Sequence, residues 1–277
     1  MKDSTQELCL SARAFEEELK AHLAKFRALF EKTDIEIEGD DEAQGYLRYA
    51  NYQTIISACD DSVHSLSAKG LTGERYNGFV WWDCEIYQLP FFIYTIPELA
   101  EQALLYRYRL LKSSKENAAK DGLGGAKYAF CSSVTGDERV WIYARHPFLQ
   151  IHINADVAYG IINYYRVTGN LSFLLKYGLE MLCEIARYWI SRVQFENGRY
   201  ELKNVTGTDE HHLYVDNDAY TNYLVQFTLK KTLEYLDRFS DRAGKWRLNK
   251  EEIAKVQDIV KKIYLPLEDN DLIPQFD

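Results

Sequence analysis

The chain is predicted to be all-α. Apolar residues recur at steps of three and four in one segment after another, period-two alternation is scarce, and only five prolines interrupt 277 residues. Phe15, Leu19, Leu23, Phe26 and Phe30 form the first stripe, running out of an acidic, alanine-rich N-terminal segment. Leu99, Ala103, Tyr106 and Leu110 form the second, behind Pro97, whose fixed φ and missing N–H suit a first helical turn. Val157, Ile161 and Tyr164 begin a third after Asn154, and Gly169 stops it. Leu175, Leu179, Leu182, Ala186 and Trp189 follow, then Val225, Leu229, Leu233 and Leu236. The last stripe, Ile253, Val256, Val260 and Ile263, opens with a capping box of Asn249 and Glu252. The best candidate for a strand is short, Gly198 to Leu202. The pattern predicts roughly eight or nine helices.

The glycines fall between the stripes: Gly70, Gly73 and Gly78, then Gly122, Gly124 and Gly125, then Gly198 and Gly207. Loops on a rigid scaffold are where function concentrates. No self-similarity at 34 or 40 residues points to a solenoid. No linker rich in Pro, Gly or Ser divides the chain, so residues 1–277 are expected to form a single domain. A net charge of −9 and the absence of a basic run exclude nucleic acid as the main partner. No apolar window is long enough to span a bilayer, and no signal peptide is recognised, so no membrane association is expected. The cysteines, Cys9, Cys59, Cys84, Cys131 and Cys183, are odd in number and lack a CxxC pair, which reads as reduced thiols in a cytoplasmic protein.

The most informative segment is Val205 to Asn222, which sets Asp209 and Glu210 after Gly207 and ahead of a run of Tyr, Asp and Asn that includes Asn217. Carboxylates bracketed by aromatics and amides suit sugar chemistry. A ring covers the apolar face of a pyranose, polar groups hold its hydroxyls, and a carboxylic acid protonates the leaving oxygen. Trp81-Trp82-Asp83-Cys84-Glu85 is a second such cluster. Each has a plainer reading: Trp82 and Asp83 as a buried Trp and an acidic N-cap, Asp209 and Glu210 as a solvated acidic turn. No metal site is expected, because His211 and His212 are adjacent rather than four apart, and His22, His64, His146 and His152 are isolated. A GxSxG elbow is missing, and Gly122-Leu-Gly-Gly125 lacks the Lys-Ser/Thr of a P-loop.

Taken together, the chain resembles glycoside hydrolase family 65, the maltose, kojibiose and trehalose phosphorylases and their hydrolase relatives. The stretches that carry the resemblance are Asp34–Ala43, Ser67–Glu74, Gly78–Phe92, His152–Tyr165, Thr168-Gly169, Ala186–Arg192 and Val205–Asn222. The resemblance implies an (α/α)6 toroid with its active site at the loop-bearing mouth. It implies that Glu210, matching the family's Gly-Pro-Asp-Glu motif, is the general acid. Trp82 and Asp83 match the pair that grips the sugar whose bond is broken, with Glu85, Asp209 and Asn217 as further substrate contacts. No cofactor is implied: inorganic phosphate is a co-substrate that attacks the anomeric carbon of a disaccharide and inverts it, giving β-glucose 1-phosphate.

Thr208 stands where the family usually has Pro, His211 where it has Tyr, and Phe79 where it has His, while a Trp-Glu-Ser element reads Phe130-Cys131-Ser132. These departures cluster at the mouth and bear on the acceptor sugar. Family members also carry an N-terminal β-sandwich and continue past a segment like Pro274–Asp277. The toroid is therefore expected to be incomplete at its C-terminal end, and this chain alone to lack phosphorolytic activity. Two alternatives stay open, an inverting, trehalase-like hydrolase and a truncated, non-catalytic sugar-binding domain. A homodimer stays open for a full-length enzyme.

Overall fold

The structure, a computed structural model, describes residues 14–71, 75–140, 143–242, 244, 247–267 and 272–277; Cys9, Gly73 and Glu74 lie outside them. The chain divides into a small unit, Met1–Tyr52, and a large one, Gln53–Asp277. In the small unit, α1 (Phe15–Thr33) carries the first predicted stripe. A short connection leads to α2 (Asp41–Ser57), which runs on into the large unit. Phe26 packs on Tyr52 at 5.3 Å, the Asn51 amide donates to the Thr33 carbonyl, and Arg48 grips Asp34. Phe15, Leu19 and Leu23 of the stripe are exposed.

The large unit is built on helices: α3 (Leu89–Thr95), α4 (Pro97–Arg109), α5 (Leu111–Lys120), the single turn α6 (His146–Leu149), α7 (Ile153–Thr168), α8 (Leu179–Arg192), α9 (Ala219–Arg238) and α10 (Lys250–Lys262). It is the helix-on-helix packing of an incomplete α/α toroid. At its centre is α7, in contact with α3, α4, α8 and α9. Its sequence is apolar on nearly every side, and nearly every side is buried. Gly160 allows the closest approach, since a Cβ there would lie 3.1 Å from Leu89 and 3.3 Å from the Glu85 side chain. As predicted, Gly169 ends α7 in the left-handed region at φ 66°. The capping box at α10 forms in both directions: Asn249 accepts from the Glu252 N–H, and Glu252 accepts from the Asn249 N–H.

Two features of local structure are absent from the periodicity. A π turn, Cys84–Gln88, precedes α3, with the Leu89 N–H reaching back to the Cys84 carbonyl. Its cause is Pro90, which has no N–H to give and whose ring would strike the carbonyl four residues back; widening the turn makes room. A second π turn, Leu174–Gly178, leads into α8. The predicted strand is Arg199–Glu201 (β2), paired antiparallel with Gln194–Glu196 (β1) in register Phe195 to Tyr200. Asn197 and Gly198 connect them at φ 50° and 82°, the left-handed pair that a two-residue hairpin turn requires.

Gly125 presses against α8, where the Ala126 N–H donates to the Glu184 carbonyl at 2.9 Å. A Cβ on Gly125 would sit 2.2 Å from both that carbonyl and the Tyr188 nitrogen, at φ 73°. Gly125→Ala is therefore expected to cost about 2–3 kcal/mol, from the left-handed strain plus the lost hydrogen bond. Gly122→Ala separates the two contributions, because Gly122 shares the φ (72°) but has open space around it. Urea unfolding should show the larger loss at position 125. Equal losses would mean that the close approach contributes nothing.

Candidate active site

Residues 79–85 are aimed by a short rung in which Val80 and Ser132 exchange both backbone hydrogen bonds at 2.9 Å. Trp81 and Trp82, being neighbours, turn to different surroundings. The Trp81 indole N–H donates to the Cys131 sulfur and its ring packs on Phe130 and Tyr76. Trp82 lies edge-to-face among Tyr87, His152 and Tyr220, with centroids at 5.3, 5.2 and 5.9 Å. Asp83 enters the helical run without a capping hydrogen bond from its side chain, so the N-cap reading fails. Its pKa is raised, chiefly because the carboxyl is partly buried, and also by the charges of Glu210 and Asp156.

Glu85 is turned into the interior. It is 1% exposed, and both of its oxygens are taken by the fully buried Arg107, Nε to Oε1 at 2.7 Å and Nη2 to Oε2 at 2.9 Å. Two residues apart on a helical turn, Asp83 and Glu85 point different ways.

Glu210 rides the loop from Val205 to Val215, which is shut at its base by reciprocal backbone hydrogen bonds of 2.9 Å between those two valines. The Thr206 N–H donates to the Leu149 carbonyl, and the Gln150 amide donates to the Gly207 carbonyl, tying the loop to α6. Gly207 leaves no room for a side chain, since a Cβ would meet the Asp218 carboxylate at 2.0 Å. That carboxylate is occupied in capping α9 through the Thr221 N–H. At the tip, Glu210 is about half exposed, with His146 Nε2 3.7 Å from its carboxylate.

Asp209 and Asn217 shape this loop rather than reach out of it. Asp209 accepts from the His211 N–H and lies 2.8 Å from the His212 ring. The His211 N–H, with the Gln275 and His212 side chains, holds its pKa down to about 2. Asn217 is fully buried at φ 55°, accepting from the Leu202 N–H and donating to Asp277.

The structure thus gathers Trp82, Asp83 and Glu210 and sends Glu85, Asp209 and Asn217 into supporting roles. It adds residues that sequence reasoning passed over. His152 is not isolated: its Nδ1 lies 2.7 Å from Asp156, one helical turn on, and the Tyr220 hydroxyl donates to the other oxygen of Asp156 at 2.7 Å. The spacing of four between His152 and Asp156 was a readable signal. The meeting of His146 with Glu210 crosses elements and leaves no such trace. Among the described residues no group of three or more His, Cys, Asp or Glu is arranged to hold a metal ion, and no helix is long and apolar enough to cross a membrane.

A raised pKa at Asp83 means that the folded chain holds this proton more tightly than the unfolded one. Between the ordinary value of about 3.9 and the raised value, stability falls as pH rises, because ionising Asp83 in its site is unfavourable. Asp83→Asn removes that cost. The variant should melt at a higher temperature than the parent at pH 7, with the gap closing near pH 3. A melting temperature unchanged at both pH values would show that the site imposes no such penalty.

Residues 48–277 match the model of the glycosyl hydrolase family 65 central catalytic domain. The chain is 50% identical over 281 residues to the 3-O-alpha-D-glucosyl-L-rhamnose phosphorylase of Lachnoclostridium phytofermentans, an alignment covering 99% of this chain and 37% of that protein. It is 41% identical to the kojibiose phosphorylase of Caldanaerobacter subterraneus subsp. tengcongensis, over 96% of this chain and 37% of that one. Among solved structures, one from the human microbiome described as a proposed kojibiose phosphorylase superposes with a TM-score of 0.88 at 29% identity, covering 99% of this chain and 37% of its own. The chain spans about 37% of the length of these relatives.

Proposed function

The chain belongs to glycosyl hydrolase family 65, and on that premise we propose that it supplies the glucosyl-binding and proton-donating part of a disaccharide phosphorylase. The reaction breaks an α-glucosidic bond with inorganic phosphate and releases β-glucose 1-phosphate, without a cofactor. The observation that carries this reading is the convergence of two segments distant in sequence. Glu210, at the tip of its loop, is near enough to Asp83 for its charge to raise the Asp83 pKa, and Asp83 directly follows the half-buried Trp82 in the chain.

In this reading Trp82 lies beside the apolar face of the glucosyl ring, and Asp83 accepts hydrogen bonds from its hydroxyls. Glu210 gives its proton to the glycosidic oxygen as the bond breaks, and phosphate attacks the anomeric carbon from the opposite side, where an inverting hydrolase would place water. The reduced cysteines, with Cys84, Cys131 and Cys183 buried, suit a cytoplasmic setting. The relatives' names suggest the substrates to test first, glucosyl-α-1,3-rhamnose and kojibiose, then maltose and trehalose; nigerose is added as a further α-glucosyl disaccharide.

Because the chain spans 37% of the relatives' length, turnover is best measured with it exchanged for the matching segment of the Lachnoclostridium protein. Phosphate-dependent release of β-glucose 1-phosphate is the expected result. Release of free glucose at the same rate without phosphate would replace this reading with hydrolysis. Sugar binding with no turnover on any of the five disaccharides would replace it with a non-catalytic domain.

A further inference from the structure

Asp156 is fully buried in the first turn of α7, and its two oxygens are spent on two rings: His152 Nδ1 at 2.7 Å on one, the Tyr220 hydroxyl at 2.7 Å on the other. These two rings are the ones that flank Trp82 from the scaffold side, at 5.2 and 5.9 Å, and they stand at 90° to each other, 5.5 Å apart. His152 is itself fully buried, with Phe130 at 5.9 Å on another side. Its second nitrogen, Nε2, has no hydrogen-bond partner among the described residues. The orientation of the imidazole therefore comes from Asp156 and from the surrounding rings. Edge-to-face packing depends on the angle between rings, so whatever fixes His152 and Tyr220 also fixes the plane of Trp82.

A fully buried carboxylate is costly unless every oxygen is used, and Asp156 uses both in this way. We propose that Asp156 is a positioning residue: through His152 and Tyr220 it locks the indole plane of Trp82, and so presets the surface that receives the glucosyl ring. The proposal rests on the reading of Trp82 as a sugar-facing ring, but the lock and the sugar contact can be observed separately. No chemistry passes through Asp156 itself. Its contribution is preorganisation, which spares the sugar the work of ordering the ring on binding.

The test uses the full chain labelled with 5-fluorotryptophan and fluorine NMR. The five tryptophans give separate probes. Trp82→Phe assigns the resonance of position 82, and Trp189, fully buried on α8, serves as the internal reference. Tyr220→Phe keeps the ring and deletes only the hydroxyl held by Asp156; Asp156→Asn weakens both bonds. In each variant the Trp82 resonance is expected to shift and broaden while that of Trp189 stays in place. Titration with methyl α-glucoside should move the Trp82 resonance in the parent chain, and Asp156→Asn should weaken that affinity about tenfold. A Trp82 resonance unchanged by both substitutions overturns the lock. A resonance that moves with the substitutions but not with the glucoside upholds the lock and removes the sugar-facing role of Trp82. Should Asp156→Asn fail to fold, shown by collapse of all the resonances, Tyr220→Phe decides alone.

Discussion

Glu210→Gln is expected to lower turnover on natural disaccharides by about 10²–10⁴-fold while leaving most activity on α-glucosyl fluoride. Gln has the shape of Glu and can still meet His146, which lies 3.7 Å from the carboxylate, but it has no proton to transfer. A sugar leaving group departs as an alkoxide unless it is protonated, whereas fluoride departs readily alone. The substitution therefore separates proton donation from every other contribution of the loop. Measured in the chimera with the Lachnoclostridium relative, a large loss on glucosyl-rhamnose or kojibiose with a small loss on the fluoride supports the assignment. Equal losses on the two kinds of substrate would falsify it and point to the loop's shape as what was damaged.

Arg107→Leu is expected to be the most destabilising single change in the large unit, at about 3–5 kcal/mol. Arg107 is buried beneath the π turn, grips Glu85 with two nitrogens, and lies 3.4 Å from the Trp81 carbonyl. Its removal leaves a carboxylate stranded in an apolar interior. Glu85 already has a raised pKa because burial outweighs the pull of Arg107, and losing that pull raises it further. A raised folded-state pKa gives stability that is present below the unfolded value of about 4.3 and lost as pH rises through the folded value. The deficit of Arg107→Leu should therefore grow from acid to neutral pH in urea unfolding. Arg107→Leu combined with Glu85→Leu should recover much of the loss, since an apolar pair of similar volume often replaces a buried ion pair at little cost. A double variant no more stable than the single one would show that Arg107 acts through its other contacts.

The helices were legible because apolar residues recur three and four apart along a packed helix, even one that, like α7, is buried on nearly every side. That signal placed α7, α9 and α10 together with their caps at Gly169 and Asn249. It could not reveal the π turn at Cys84–Gln88, because a proline inside a helical run reads equally as a break or as a widened turn. Trp82, Asp83 and Glu210 were legible as motif residues. The burial of Glu85 and Asn217 was not legible, because neighbourhood in sequence does not say which way a side chain faces. The helical turn carries Glu85 inward to Arg107, and the left-handed backbone at Asn217 folds its amide under the loop. The His152–Asp156 pair was visible at its spacing of four, but its link to Tyr220 and its packing on Trp82 exist only once α7 and α9 are side by side.

The double hydrogen bond between Val205 and Val215 makes the segment it encloses an exchangeable cassette. Gly207, wedged against the Asp218 carboxylate, marks the inner limit, so the variable stretch begins at Thr208 and ends before Val215. Within those bounds a lineage could replace Thr208, His211, Leu213 or Tyr214, all of them exposed, without touching the segment that holds Trp82 and Asp83. New acceptor preferences would then arise from a few surface substitutions around a fixed Glu210. The same boundaries tell an engineer where to cut when moving one enzyme's loop into another.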